Sequence, residues 1–150
     1  MNKQLILGLI IITMTFMTSC FSNEDNSFQI KATEDLSTQF NLRQEQIADP
    51  TEARLEIMKG LGMNVEDISV QSVFIYLKEL PSASQQNEIR QLGITLYIDS
   101  WIPPVGVHPT GFLIAKVPVD KMADLAAKDY VIRLDSAERV NKPQNLPSTG

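Results

Sequence analysis

Between Val70 and Asp135 the chain switches repeatedly between the hydrophobic period of a strand and that of a helix, in an order that admits few folds. Val70 to Leu80 (VQSVFIYLKEL) is β-branched and aromatic, and Pro81 stops it. Ser82-Ala83-Ser84-Gln85 has the spacing of a capping box, a hydroxyl for the first-turn amides and a glutamine to reach back to the cap. That box opens a helix through Leu92, which Gly93 closes. Ile94 to Ile102 alternates as a strand, with Ile94, Leu96 and Ile98 on one face and Thr95, Tyr97 and Asp99 on the other. The Pro/Gly-rich loop Pro103 to Thr110 leads to a third strand, Gly111 to Val117. After Pro118, Val119 to Ala127 carries Val119, Met122, Leu125 and Ala126 at helical spacing, and Val131 to Asp135 forms the last strand. The order β-α-β-β-α-β predicts an α+β domain over residues 69–140, ferredoxin-like, with a four-stranded antiparallel sheet and two helices on one face.

Cys20 is the only cysteine, so no disulfide forms within the chain and packing alone must hold the domain. Its position says more. Lys3 gives a short positive start, Leu5 to Met17 is an uncharged apolar run, and Thr18-Ser19 places small residues before the cysteine. This is the layout of a secretory signal, too short and wrongly flanked for a membrane span. Met17-Thr18-Ser19-Cys20 resembles a bacterial lipobox. The resemblance implies removal of residues 1–19, acyl chains such as palmitate on Cys20, and a place in the cell envelope, held to a membrane outside the cytoplasm. An ordinary signal peptide with an incidental cysteine is the alternative.

Residues 20–48 are polar and lack sustained periodicity, which predicts a flexible tether. Within it, Glu24-Asp25 reads as a solvated pair or as a sorting signal. Asp49-Pro50-Thr51-Glu52 reads as a helix start with Asp49 as the cap. Leu55, Met58 and Leu61 then predict a short helix within residues 49–62, packed loosely on the main domain. Residues 141–150 read as a flexible tail. Its Leu146-Pro147-Ser148-Thr149-Gly150 matches the pattern sortases cleave, without the apolar stretch and basic tail such a signal needs.

The charge balance is acidic, net −5, with no basic cluster, which argues against nucleic acid as a partner. Little points to catalysis. The single histidine, His108, sits in the proline loop without a neighbouring carboxylate or cysteine, and neither metal-ligand spacing nor a phosphate loop nor a nucleophile motif is present. The expectation is a chain without catalytic residues, metal or cofactor.

The sheet offers more. With Val73, Ile75, Leu77, Ile94, Leu96, Ile98, Leu113, Ala115 and Val117 inward, the face away from the helices carries Phe74, Tyr76, Tyr97, Phe112 and Ile114. Aromatic side chains on an uncovered face mark a contact surface, unless the helix within 49–62 or a second copy covers them. The apolar loop from Trp101 to Pro109 is a second contact candidate, or its prolines simply brace the hairpin.

Several of these segments together resemble the propeptide of subtilisin-like serine proteases and the stand-alone inhibitors related to it. The residues that carry the likeness are Val73-Phe74-Ile75-Tyr76-Leu77-Lys78, Leu92-Gly93-Ile94, Val117-Pro118-Val119-Asp120-Lys121-Met122 with Leu125-Ala126, and Tyr130-Val131-Ile132-Arg133-Leu134-Asp135. The resemblance implies that the open sheet face docks on the protease and that Glu138 to Asn145, including Arg139 and Val140, enters its cleft as an extended strand. The family's acidic residue at the end of the last strand falls on Asp135, and its second acidic position falls on Ala137. The loop Trp101 to Thr110 is longer than the family's hairpin, and Pro143 lacks an N–H for strand pairing. With no protease domain after Gly150, the resemblance implies inhibition, or assistance to folding, in trans. A non-inhibitory interaction lipoprotein of the envelope is the alternative.

Overall fold

The computed structural model describes residues 23–138. Cys20, Arg139, Val140 and the tail after them lie outside the described residues. The elements are α1 (Asn23–Lys31), α2 (Glu34–Ala48), α3 (Glu52–Gly60), β1 (Val70–Leu77), α4 (Ala83–Gln91), β2 (Thr95–Ile102), β3 (Gly111–Pro118), a 3₁₀ turn (Val119–Lys121), α5 (Met122–Ala126) and β4 (Arg133–Ser136). The four strands form one antiparallel sheet in the order β2-β3-β1-β4, so each helical crossover passes over one strand to reach an edge.

Strand alternation places the core as the sequence predicts. Val73, Ile75 and Leu77 of β1, Leu113, Ala115 and Val117 of β3, and Leu134 of β4 are buried on one face. They pack with Ile89 of α4 and with Met122, Leu125 and Ala126 of α5, each such side chain contributing about 1.5–3 kcal/mol where it is a large aliphatic. The capping box of α4 is formed: Ser82 accepts from the Gln85 amide, and the Gln85 side chain accepts from the Ser82 amide. Between α4 and the approach to β4, Glu88 accepts from Lys128 Nζ (2.6 Å) and from the Tyr130 hydroxyl (3.0 Å). Those two bonds hold the Glu88 carboxyl below the ordinary glutamate range. Their contribution to stability is present at neutral pH and fades as pH falls through the lowered value.

The segment read as a flexible tether is instead folded. Residues 23–48 form α1 and α2, and Phe28, Leu36 and Phe40 belong to the main core, with the two phenyl rings 4.5 Å apart. Thr33 caps α2 through its hydroxyl, and Glu34 and Asp35 complement the first-turn amides. Between the helices, Ala32 bridges Leu134 in parallel and the Thr33 amide donates to the Leu134 carbonyl (3.0 Å). This contact covers part of the outer edge of β4, a position otherwise open to pairing with another chain. The third helix is also corrected: Thr51, not Asp49, is its cap, and Met58 on its inner side is fully buried. Pro50 therefore lies outside the helix, one residue before the cap.

A buried polar group joins α2 to the end of the sheet. Arg43 is 0 % exposed, and its Nη2 donates to both carboxylate oxygens of Glu138 (2.7 and 2.8 Å) and to the Asn64 carbonyl (3.0 Å). Its Nη1 donates to the Asp67 carbonyl (3.2 Å). Glu138 also accepts from the amides of Asn64 and Ser72. Beside this pair, Gln71 donates to Gln39, which also accepts from the Ser136 hydroxyl.

Candidate functional site

The open face of the sheet is the surface that this core leaves over. Cross-strand pairs share a face, so the registers Phe74↔Ile114, Tyr76↔Phe112, Tyr97↔Ile114 and Tyr76↔Arg133 bring these side chains together. Phe74 and Phe112 meet edge-on at 5.3 Å between centroids, and Tyr76 and Phe112 lie tilted at 5.4 Å. Phe74, Tyr76, Phe112 and Ile114 are half-buried by one another and by their strands, and Tyr97 is 41 % exposed. The helix α3 packs against α2. The five face residues expected from alternation are thus brought together on one surface.

Trp101 is placed differently, because β2 is not regular. Tyr97 pairs with Ile114 and Ile102 with Phe112, so five steps along β2 oppose two along β3. The odd difference reverses which residues face inward. Ile102 joins the open face, and Trp101 turns inward, half-buried against the core cluster. Ser100 secures the bulge, its hydroxyl donating to the Tyr97 carbonyl (2.6 Å) and accepting from the Ile114 amide (2.8 Å). Gly111 is needed there, since a Cβ would meet the Ile102 carbonyl and come within 2.6 Å of the Trp101 ring. Gly111→Ala is expected to cost about 1–3 kcal/mol in chemical denaturation. The same variant should red-shift the fluorescence of Trp101, the chain's only tryptophan, as the ring is displaced.

The acidic candidates are internal rather than free. Asp135 accepts from the Thr33 hydroxyl (2.8 Å) and from the Ser136 amide (2.8 Å). Glu138, expected to begin a cleft-entering tail, is sequestered by Arg43 with its side chain 7 % exposed. A carboxylate held by a guanidinium and two amides is not available to a partner, so any protruding tail starts no earlier than residue 139. Sequence reasoning also missed two members of the face, Ile102 and Arg133. The alternation of β4 around inward Leu134 could have shown the second.

Two depressions flank the aromatic patch. The larger, about 560 Å³, lies between the strand ends and the loop of residues 103–110, with Tyr76, Phe112, Ile102, Val105, His108 and Arg133 among its walls. The smaller, about 160 Å³, has a mixed lining, with Val70 and Pro118 beside Ser72, Thr95, Lys116 and Glu138. At its rim Asp67 accepts from the Ser69 hydroxyl and amide, which hold its carboxyl below the usual range. The loop itself is exposed and apolar, with Val107 93 % accessible and a turn closed by the His108 amide on the Val105 carbonyl (3.1 Å). Among the described residues no group of three or more His, Cys, Asp or Glu side chains is placed to hold a metal, and no helix is long and apolar enough to cross a membrane. No known protein family, curated protein or solved structure matches the chain.

Proposed function

We propose that this chain is a non-enzymatic binding module of the bacterial envelope, anchored by lipid on Cys20, that inhibits or assists the folding of a subtilisin-like serine protease in trans. The open aromatic face carries the reading: Phe74, Tyr76, Phe112 and Ile114 with exposed Tyr97 form one apolar surface on the side of the sheet opposite the core. Surfaces rich in clustered aromatic residues supply most of the binding energy of protein interfaces. The strand order, read from the other edge as β4-β1-β3-β2 with both crossovers on one face, supports a ferredoxin-like domain and the propeptide resemblance with it. The leader ending in Met17-Thr18-Ser19-Cys20 supports the anchor.

In this reading the sheet face docks on the protease surface and the segment after Glu138 occupies the cleft as a product-like strand. Inhibition is then competitive and involves no covalent step. The test is an inhibition assay against subtilisin-type proteases with the full chain and with a form ending at Glu138, which keeps the Arg43 ion pair intact. Competitive inhibition by the full chain, weakened at least tenfold in the shortened form, is the expected result. Equal inhibition by both would remove the tail from the mechanism, and inhibition by neither would sink the protease reading.

The exposed apolar loop favours one other reading, an interaction lipoprotein that holds a different envelope protein through Val105 and Val107. Pull-down from envelope extracts with Val107→Ser and Tyr97→Ser variants separates the two surfaces. Loss of the captured protein with Val107→Ser alone would favour the loop.

A further inference from the structure

We infer that the cleft beside Tyr76 is a subsite for an acidic peptide segment, taking an apolar side chain into its wall and the neighbouring carboxylate onto Arg133. This deepens the binding-module reading, on which it rests for the partner being a protein. Arg133 projects from β4 opposite Tyr76, and its guanidinium carbon lies 3.9 Å from the Tyr76 ring centroid. A cation held over an aromatic face is oriented in advance, so little side-chain freedom remains to be lost on binding.

Among the described residues the Arg133 guanidinium has no ion-pair partner and donates no hydrogen bond to another side chain or carbonyl. The nearest acid on the same strand face, Asp135, is engaged by Thr33 and Ser136. No carboxylate lines the cleft, although acids outnumber bases in the chain, 18 to 13. A cationic end on an otherwise apolar depression of about 560 Å³ fits an anion attached to an apolar body. Guanidinium–carboxylate bonds are charge-assisted and roughly twice as strong as neutral ones, so the arginine selects the acid while Phe112, Ile102 and Val105 hold the body.

The probe is a pair of capped peptides, Ala-Ala-Phe-Glu-Ala-Ala and the same peptide with glutamine for glutamate, titrated into isotope-labelled full chain and followed by amide chemical shifts. Saturable shifts at the amides of Phe112, Ile132 and Arg133 at millimolar peptide or below are expected with the glutamate peptide, with affinity at least tenfold weaker for the glutamine peptide. Arg133→Met, which keeps an apolar stem over Tyr76, is expected to erase that difference. Equal binding of the two peptides, shifts confined to other surfaces, or no saturable shift with either would overturn the assignment. No protease is present in this titration, so its failure leaves the inhibition assay to decide the broader reading.

Discussion

Replacing Arg43 with alanine is expected to lower the free energy of unfolding by about 3–5 kcal/mol, measured by urea denaturation at neutral pH. Most of that loss is the penalty on Glu138, whose side chain is 7 % exposed and would be left buried without its cation. The carbonyls of Asn64 and Asp67 would lose their donors as well. Exchanging both partners for apolar residues, Arg43→Met with Glu138→Leu, should cost much less than the single change, because buried charge and counter-charge disappear together. A double variant no more stable than Arg43→Ala would show that the carbonyl and amide bonds, rather than the ion pair, hold α2 to the sheet. The contact also ties Glu138 to α2, to the approach to β1 and to β1 itself.

Leu36→Ala is expected to destabilise the domain by about 2–5 kcal/mol, the usual cost of emptying a fully buried leucine site. The size of this effect decides whether residues 23–48 belong to the folded unit. A solvated tether would absorb the substitution with almost no change in the urea midpoint. An integral α2 would also show slow amide exchange from Leu36 to Arg43, coupled to global unfolding. Ile30→Ala, by contrast, should be near neutral, because Ile30 is exposed.

Why α2 escapes a reading by hydrophobic pattern is visible in its buried side. Leu36, Gln39, Phe40, Arg43 and Gln46 are spaced as one helical stripe, yet three of the five are polar. Burial here is organised by partners that are distant in sequence, Gln71, Asn64 and Glu138, so the stripe looks like a solvated segment until they are known. Thr33 followed by Glu34 and Asp35 was the local signal that a helix begins. In the sheet, by contrast, strict alternation in β1 and β3 was enough to assign every inward and outward residue. Alternation failed only in β2, where it held through inward Ile98 and the bulge before Ile102 then sent Trp101 inward and Ile102 outward. Nothing in the residues from Ile98 to Trp101 announces a bulge by composition; Ser100 reveals it only through its bonds to Tyr97 and Ile114. The candidate surface was therefore legible where it rests on β1 and β3, and misread at its edges.

The arrangement of the surface follows from the same facts. Core packing uses one face of the sheet, and the aromatic cluster lies on the other, which no helix of the described residues fills with its core side chains. Tyr97 and Ile102 extend that cluster along β2, and Arg133 extends it along β4 with a charge at its margin. A patch of this kind is a costly feature unless another surface meets it.

The most direct measurement is inhibition of a subtilisin-type protease by the chain carrying Ile114→Lys, alongside its urea midpoint. Ile114 lies at the centre of the face between Phe74 and Tyr97, where a lysine stem can rest on the aromatic rings with its charge in water. The account predicts stability within about 1 kcal/mol of the unaltered chain and inhibition at least tenfold weaker. Undiminished inhibition by a folded Ile114→Lys chain would contradict it.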